Sequence, residues 1–313
     1  MTVLDAVPHE VLDAYRTCEF ATLGPDGTPL VWPAAAARRA DGTLLLTTSL
    51  AFAQKALNVR RDGRVALLFS DPTGSGLTDA PHIFVGGRAE CPDAVLTGPQ
   101  GAEDYWRMLF ERQPHSRAYL SRPMRWLMDW YYLRLLITVT PEQVILRPAA
   151  PLPVPQGPAT ADGGAALTGA GELARYPSAV LAARDAAGAP VLARVQPKPT
   201  ASGYALLVPS DCAATPGPAS LLVHRHDERL NHMRNALVRG RLTDSGTRLV
   251  LVPDRVVQPM GSGRPSDALR LLRRTQESTD RYLERRGLPR PAVQWNEFRA
   301  LAAAARQRQR QRP

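Results

Sequence analysis

Four segments of this chain recur in the same order, and that order limits the fold more than any single motif. GTLLLTTS (Gly42–Ser49) matches GYALLVPS (Gly203–Ser210) at equal length, and FVGGRAE (Phe84–Glu90) matches LVRGRLT (Leu237–Thr243). LRLLITVTPEQVILRP matches TRLVLVPDRVVQP as a strand, a Pro-acid turn and a strand, and ATLGPDGTPLV has a looser echo in AVLAARDAAGAPVL. Ordered self-similarity over this length predicts a duplicated unit. At 313 residues the chain has room for two domains of ordinary size.

Each unit reads as short strands separated by turn signals. Pro25-Asp26-Gly27 and Ala40-Asp41-Gly42 lie between β-type runs, as hairpin turns do. Leu50 to Arg61 carries apolar residues at Leu50, Phe52, Ala53, Ala56, Leu57 and Val59, close to helical spacing, and Asp62-Gly63 ends it. RVALLFS and HIFVGGRAE read as strands, with Gly86-Gly87 marking a bulge or a close approach. Gly101 to Tyr132 reads as helical, broken at Pro114 and Pro123, and Pro141-Glu142 reads as the turn between two closing strands. PAAPLPVPQGP, residues 148–158, is a Pro-rich linker and the best domain boundary. From Asp267 onward an amphipathic helix is appended. The fold class is mainly β with helices, α+β.

The two units differ at one place. Val65 lies sixteen positions after Ser49, whereas the next strand of the second unit, expected near Ala219, lies about nine after Ser210. The helix over 50–61 is absent from the second unit. It carries Lys55, one of only two lysines in a chain with 39 Lys plus Arg. Thr47, Thr48 and Ser49 set hydroxyls at the end of a strand, directly before a helix N-terminus whose unpaired N–H groups and positive dipole suit an anion. Lys55 adds a point charge and Gln54 an amide donor, so the unit reads as a phosphate site. The plainer reading makes Ser49 an ordinary helix cap and Lys55 an exposed helix residue.

Charge is unevenly placed. Residues 1–150 hold 15 basic and 16 acidic residues, and residues 151–313 hold 24 and 13. Many arginines of the second half lie in the terminal helical stretch and in RQRQRQRP, so a solvated helix and a frayed tail account for them without nucleic acid as a partner. No run approaches the ~20 apolar residues of a membrane span. The first residues lack the apolar core of a signal peptide. Cys18, Cys91 and Cys212 are scattered and odd in number, which fits a reducing cytoplasm without disulfides. His224 and His226 share a strand face, with His232 and Asp227 nearby; they read as a polar strand end, and no metal site is assigned. No Walker loop, Gly-x-Ser-x-Gly or His-Glu-x-x-His is present.

The ordered set of hairpin, strand, TTS…K…N…R-DGRVALLF, GGRAE and VTPEQV resembles the FMN-binding split β-barrels of the pyridoxamine 5'-phosphate oxidase-like superfamily over residues 15–148. Residues 172–258 resemble them in degenerate form. The resemblance implies a split-barrel domain over 1–148, a linker over 149–165, a degenerate split-barrel repeat over 166–260, and a C-terminal helix and basic tail over 261–313. It also implies that Thr48, Ser49 and Lys55 hold the FMN phosphate, with Gln54 where the family often has Arg, and that His82 hydrogen-bonds the flavin region. The family's Trp and Arg-x-His substrate clamp has no counterpart in PEQVILRP, so oxidation of pyridoxamine phosphate itself is not implied.

Related barrels dimerise around the flavin. Here the tandem is expected to act as an intramolecular pseudo-dimer, itself able to form a homodimer, with one cofactor site per chain. The implied activity is a flavin-dependent oxidoreductase acting on a small molecule. Alternatives are a deazaflavin-dependent reductase whose cofactor has a polyglutamate tail, and a non-catalytic flavin- or haem-binding protein. Tyr15, Trp32 and His82 are the candidate neighbours of the cofactor, and no catalytic acid or base is assigned.

Overall fold

A computed structural model describes residues 2–149, 167–246, 248–260 and 265–311. Apart from Ala149, the expected linker lies outside the described residues. The first sheet is built from β1 (Cys18–Leu23), β2 (Pro29–Ala34), β3 (Ala37–Arg38), β4 (Leu44–Ser49), β5 (Arg64–Phe69), β6 (His82–Glu90), β7 (Val95–Leu96) and β8 (Arg134–Arg147). Its order is β2-β1-β5-β6-β8-β4-β3, with β7 paired to β8. The second sheet holds β9 (Ala179–Arg184), β10 (Pro190–Val195), β11 (Lys198–Pro199), β12 (Tyr204–Leu206), β13 (Thr215–Arg225), β14 (Arg234–Asp244) and β15 (Leu249–Met260). Its order is β10-β9-β13-β14-β15-β12-β11. Strand for strand the two orders are the same, with β7 alone lacking a counterpart. The molecule is α+β: two curled antiparallel half-barrel sheets with helices, as the sequence led one to expect.

The Pro-acid pairs are not turns. β8 runs unbroken through Pro141, and β15 through Pro253. Each strand carries a bulge there. Gly87 faces Pro141 and Gly86 faces Gln143, leaving Glu142 extra; Gly240 faces Pro253 and Arg239 faces Arg255, leaving Asp254 extra. Proline has no N–H to give a ladder, so a bulge suits it better than a regular strand position. The opposing glycine permits the close approach. A Cβ on Gly87 would lie 2.3 Å from the Thr140 carbonyl oxygen, and one on Gly240 would lie 2.1 Å from that of Val252. The bulge expected at Gly86-Gly87 is therefore present, and the second sheet repeats it.

β13 starts at Thr215, earlier than the expected Ala219. Its opening Thr-Pro-Gly-Pro looks like a loop in sequence, but here it forms an irregular strand end, and the register with β9 shifts between Thr215 and Ser220. Only Leu207 to Ala214 separate β12 from β13, with no helix among them.

β5 shows why RVALLF is an almost continuous apolar run. Val65, Leu67 and Phe69 point into the core of the first half, while Ala66 and Leu68 join a second core together with β9, β10 and β13 residues. Alternate side chains leave opposite faces of a strand, and here both faces are buried. The sheets thus meet through a shared apolar layer. The four longest helices among the described residues are α1 (Gln54–Arg61), α2 (Glu103–Arg112), α3 (Pro265–Glu284) and α4 (Trp295–Gln311). α4 packs on α2, with the Phe298 ring centroid 4.7 Å from that of Trp106. The basic run is helical as far as Gln311.

Candidate functional site

The end of β4 is fixed by its register with β8: Thr47 faces Leu136, Thr48 faces Leu135 and Ser49 faces Arg134. The Leu50 N–H continues the pairing to the Leu133 carbonyl at 3.1 Å, which draws the chain inward. A 3-10 turn over Leu50–Phe52 follows, and α1 begins only at Gln54. The helix therefore does not start directly after the hydroxyls, and Lys55 sits in its first turn. Ser49 precedes the 3-10 turn without a side-chain capping bond, so its hydroxyl is not spent as a cap.

Lys55 is half-buried. Its Nζ donates to Thr48 Oγ1 at 3.2 Å and lies 5.6 Å from the Trp32 ring centroid. Thr48 Oγ1 in turn donates to the Phe52 carbonyl at 2.9 Å. Burial, reinforced by the nearby Arg134 charge, lowers the Lys55 pKa to about 8.

Arg134 is buried and was not singled out from the sequence. Its guanidinium lies 4.4 Å from the Tyr131 ring centroid and 5.2 Å from that of Trp106. Nε donates to the Tyr131 carbonyl at 2.6 Å, and the guanidinium reaches Thr47 Oγ1 at 3.4 Å. Among the described residues, neither Lys55 nor Arg134 has an ion-pair partner.

Two cavities adjoin Lys55. One, of about 210 Å³, is lined by Thr47, Thr48, Ser49, Trp130 and Arg134 among others. The larger, of about 880 Å³, is lined by Trp32, Gln54, Asn235, Arg281, Arg285 and Arg286 among others. Lys55, Pro33, Phe52 and Met233 border both. Met233, Asn235 and Val257 come from the second half, which so supplies a wall to the space beside Lys55. Trp130, whose indole N–H is buried without a partner, lines the smaller cavity. This donor set of hydroxyls, an ammonium, a guanidinium and an unused indole N–H fits an anion.

The residues expected at the site divide. Thr47, Thr48, Ser49 and Lys55 converge, and Trp32 joins them. Gln54 reaches the larger cavity, but its Nε2 is engaged with Asn58 Oδ1 at 2.8 Å. His82 lines neither cavity. It is buried on β6 opposite Arg147, and burial together with the Arg194 charge lowers its pKa to about 4, so its ring is neutral. Tyr15 donates to the Pro81 carbonyl and also lies away from both cavities.

No family model matches the chain, and no curated protein matches it. Solved structures are similar over about half of it. A protein of unknown function from Agrobacterium tumefaciens is 24% identical over 47% of this chain and 60% of its own, with a TM-score of 0.32. A conserved hypothetical protein from Mycobacterium tuberculosis is 23% identical over 51% of this chain and 92% of its own, with a TM-score of 0.34. An F420 reductase is 24% identical over 44% of this chain and 98% of its own, with a TM-score of 0.32. Among the described residues, no helix is long and apolar enough to cross a membrane.

Proposed function

We propose that this chain is an FMN-binding oxidoreductase of the split β-barrel class, with one site per chain and a small molecule as substrate. One observation carries the reading: Lys55 and Arg134 meet the Thr47–Ser49 hydroxyls beside these cavities, and among the described residues no carboxylate is ion-paired with either cation. In this reading Lys55 gives the phosphate a point charge and Arg134 a fixed fork of donors. Thr48 and Ser49 add hydroxyl donors, and Trp32 and Phe52 provide an apolar wall that excludes water. Bound FMN would supply the hydride chemistry. The second half carries no hydroxyl-helix-lysine unit between β12 and β13, so its part is to close the pocket with Met233 and Asn235.

The test is FMN titration of the full chain, followed by visible absorption and flavin fluorescence. Lys55→Ala is expected to weaken FMN binding by about 1–3 kcal/mol, the loss of one charge-assisted hydrogen bond. Unchanged affinity in that variant would sink the assignment. A Soret band in the purified protein would support haem instead.

A second reading rests on the rim of the larger cavity. Arg281, in the last turn of α3, and Arg285 and Arg286, just past its end, line it together. This basic rim favours a deazaflavin with an anionic oligoglutamate tail. Tighter binding of the tailed deazaflavin than of FMN, lost on Arg285→Ala, would favour it over FMN.

A further inference from the structure

The interface between the two halves buries a second polar cluster, separated from the smaller Lys55 cavity by Thr17, which lines that cavity. His224 and His226 stand two apart on β13 and share a face, as strand geometry requires. Their side chains are 1% and 0% exposed. The carboxylate that meets them is not the neighbouring Asp227, whose Oδ1 accepts the backbone N–H groups of Arg229 at 2.9 Å and Asn231 at 2.7 Å. It is Asp71, from the loop after β5 in the first half. Asp71 Oδ2 lies 3.7 Å from His224 Nδ1 and 3.6 Å from His226 Nε2, and the three ligand atoms all fall within 4.8 Å of one another.

The other nitrogen of each ring is already spoken for. His226 Nδ1 lies 2.9 Å from the Asp227 carbonyl oxygen, which can only accept, so this nitrogen carries the proton. His224 Nε2 lies 2.7 Å from Glu19 Oε1, a carboxylate that Arg194 also contacts at 2.9 Å. His224 Nε2 therefore donates. His224 Nδ1 and His226 Nε2 are thus the ring nitrogens left facing Asp71. Of these two nitrogens, His226 Nε2 meets Thr17 Oγ1 at 3.0 Å, whereas the buried His224 Nδ1 has no hydrogen-bond partner. A buried polar atom without a partner is costly, and a cation held between the two nitrogens and the Asp71 carboxylate would satisfy it.

We propose that Asp71, His224 and His226 form a binding site for one divalent transition-metal ion of the zinc class. Zinc holds imidazole nitrogen and carboxylate oxygen at about 2.0–2.2 Å, which sets tetrahedral ligands about 3.4 Å apart, close to the two spacings from Asp71. Two histidines and one carboxylate leave a fourth position. Thr17 Oγ1, 3.0 Å from His226 Nε2, borders it and would give up its hydrogen bond to that nitrogen. The Glu19–His224 and Asp227 carbonyl–His226 bonds are the outer contacts that orient metal-binding imidazoles. Asp71, 14% exposed, gives the ion a way in from the surface. The ion would join the halves, with one ligand from the first and two from the second.

The full chain, stripped with chelator and dialysed, is titrated with ZnCl2 by calorimetry and with CoCl2 by visible absorption. One equivalent of zinc per chain, d–d bands from cobalt and a raised melting temperature are the expected results. Asp71→Asn and His226→Gln should each weaken zinc binding at least about 100-fold. His232→Gln, at an exposed histidine outside the cluster, should leave it unchanged. Circular dichroism checks that each variant is folded; should His226→Gln fail to fold, Asp71→Asn and the wild-type cobalt spectrum decide. Folded wild-type protein that takes up no zinc and shows no cobalt bands would overturn the site and leave the cluster as a proton-sharing network. Wild-type affinity in a folded Asp71→Asn variant would overturn it equally.

Discussion

Lys55 donates to the Thr48 hydroxyl at 3.2 Å across the 3-10 turn that joins β4 to α1. The ammonium is thereby held at the mouth of two cavities, in surroundings that disfavour its charge and lower its pKa to about 8. A phosphate there would stabilise the charged form, so binding and protonation are linked. The sign follows. Below about pH 8 the free protein already carries the proton, and FMN affinity is flat. Above it the ligand must bring the proton back, and affinity falls by up to about tenfold per pH unit. Fluorescence titrations between about pH 7 and 9.5 would read this slope, and Lys55→Arg, which stays charged, should remove it.

Arg134 faces the same space from β8 and is held flat against Tyr131, 4.4 Å from guanidinium to ring centroid. Arg134→Ala is expected to cost about 1–3 kcal/mol of FMN binding. Arg134→Lys keeps the charge but not the planar fork or the stack, so it should recover only part of the loss. Calorimetric titration of both variants separates charge from geometry.

Gly87 and Gly240 occupy matching bulges, where a Cβ would stand 2.3 Å and 2.1 Å from backbone carbonyl oxygens. Gly87→Ala and Gly240→Ala should each destabilise the fold by at least about 1–3 kcal/mol, read as a lower urea midpoint. Gly171, with nothing within 4 Å of its Cβ position, is the control, and Gly171→Ala should leave stability unchanged or raise it.

Glu19 is fully buried between Arg194 at 2.9 Å, Ser70 at 2.9 Å and His224 at 2.7 Å. Burial alone would raise its pKa, but Arg194 and then His224 outweigh that and hold it below the ordinary value of 4.5. Glu19→Gln leaves Arg194 without its counter-charge and should cost about 3–5 kcal/mol. Because the folded pKa is depressed, this contribution is complete above the unfolded value and disappears as pH falls through the folded one. Urea unfolding of wild type and Glu19→Gln should therefore differ at neutral pH and converge in acid.

Much of the architecture could be read from the chain, because strand and turn chemistry is local. The strands around Asp26-Gly27 and Asp41-Gly42, the bulge at Gly86-Gly87 and the missing second helix all follow from neighbouring residues. Pro141 misled as a turn signal because its tolerance depends on Gly87 in another strand. The meeting of the Thr47–Ser49 hydroxyls with Lys55 was legible for the same local reason. Arg134 was not, since its place depends on the register of β8 against β4. Asp71 and His224 are 153 positions apart in sequence, and nothing in either neighbourhood names the other. His82 was chosen by resemblance alone, and it lies apart from Lys55.

The shared apolar layer and the Glu19–His224 contact join parts that, in a pair of separate barrels, would have to find one another by diffusion. Here they are tethered. Their encounter is intramolecular, governed by an effective concentration rather than by how much protein is present. A dilution that would dissociate two separate barrels leaves these contacts intact. The face that the second half turns to this layer thus stays at hand at any protein concentration.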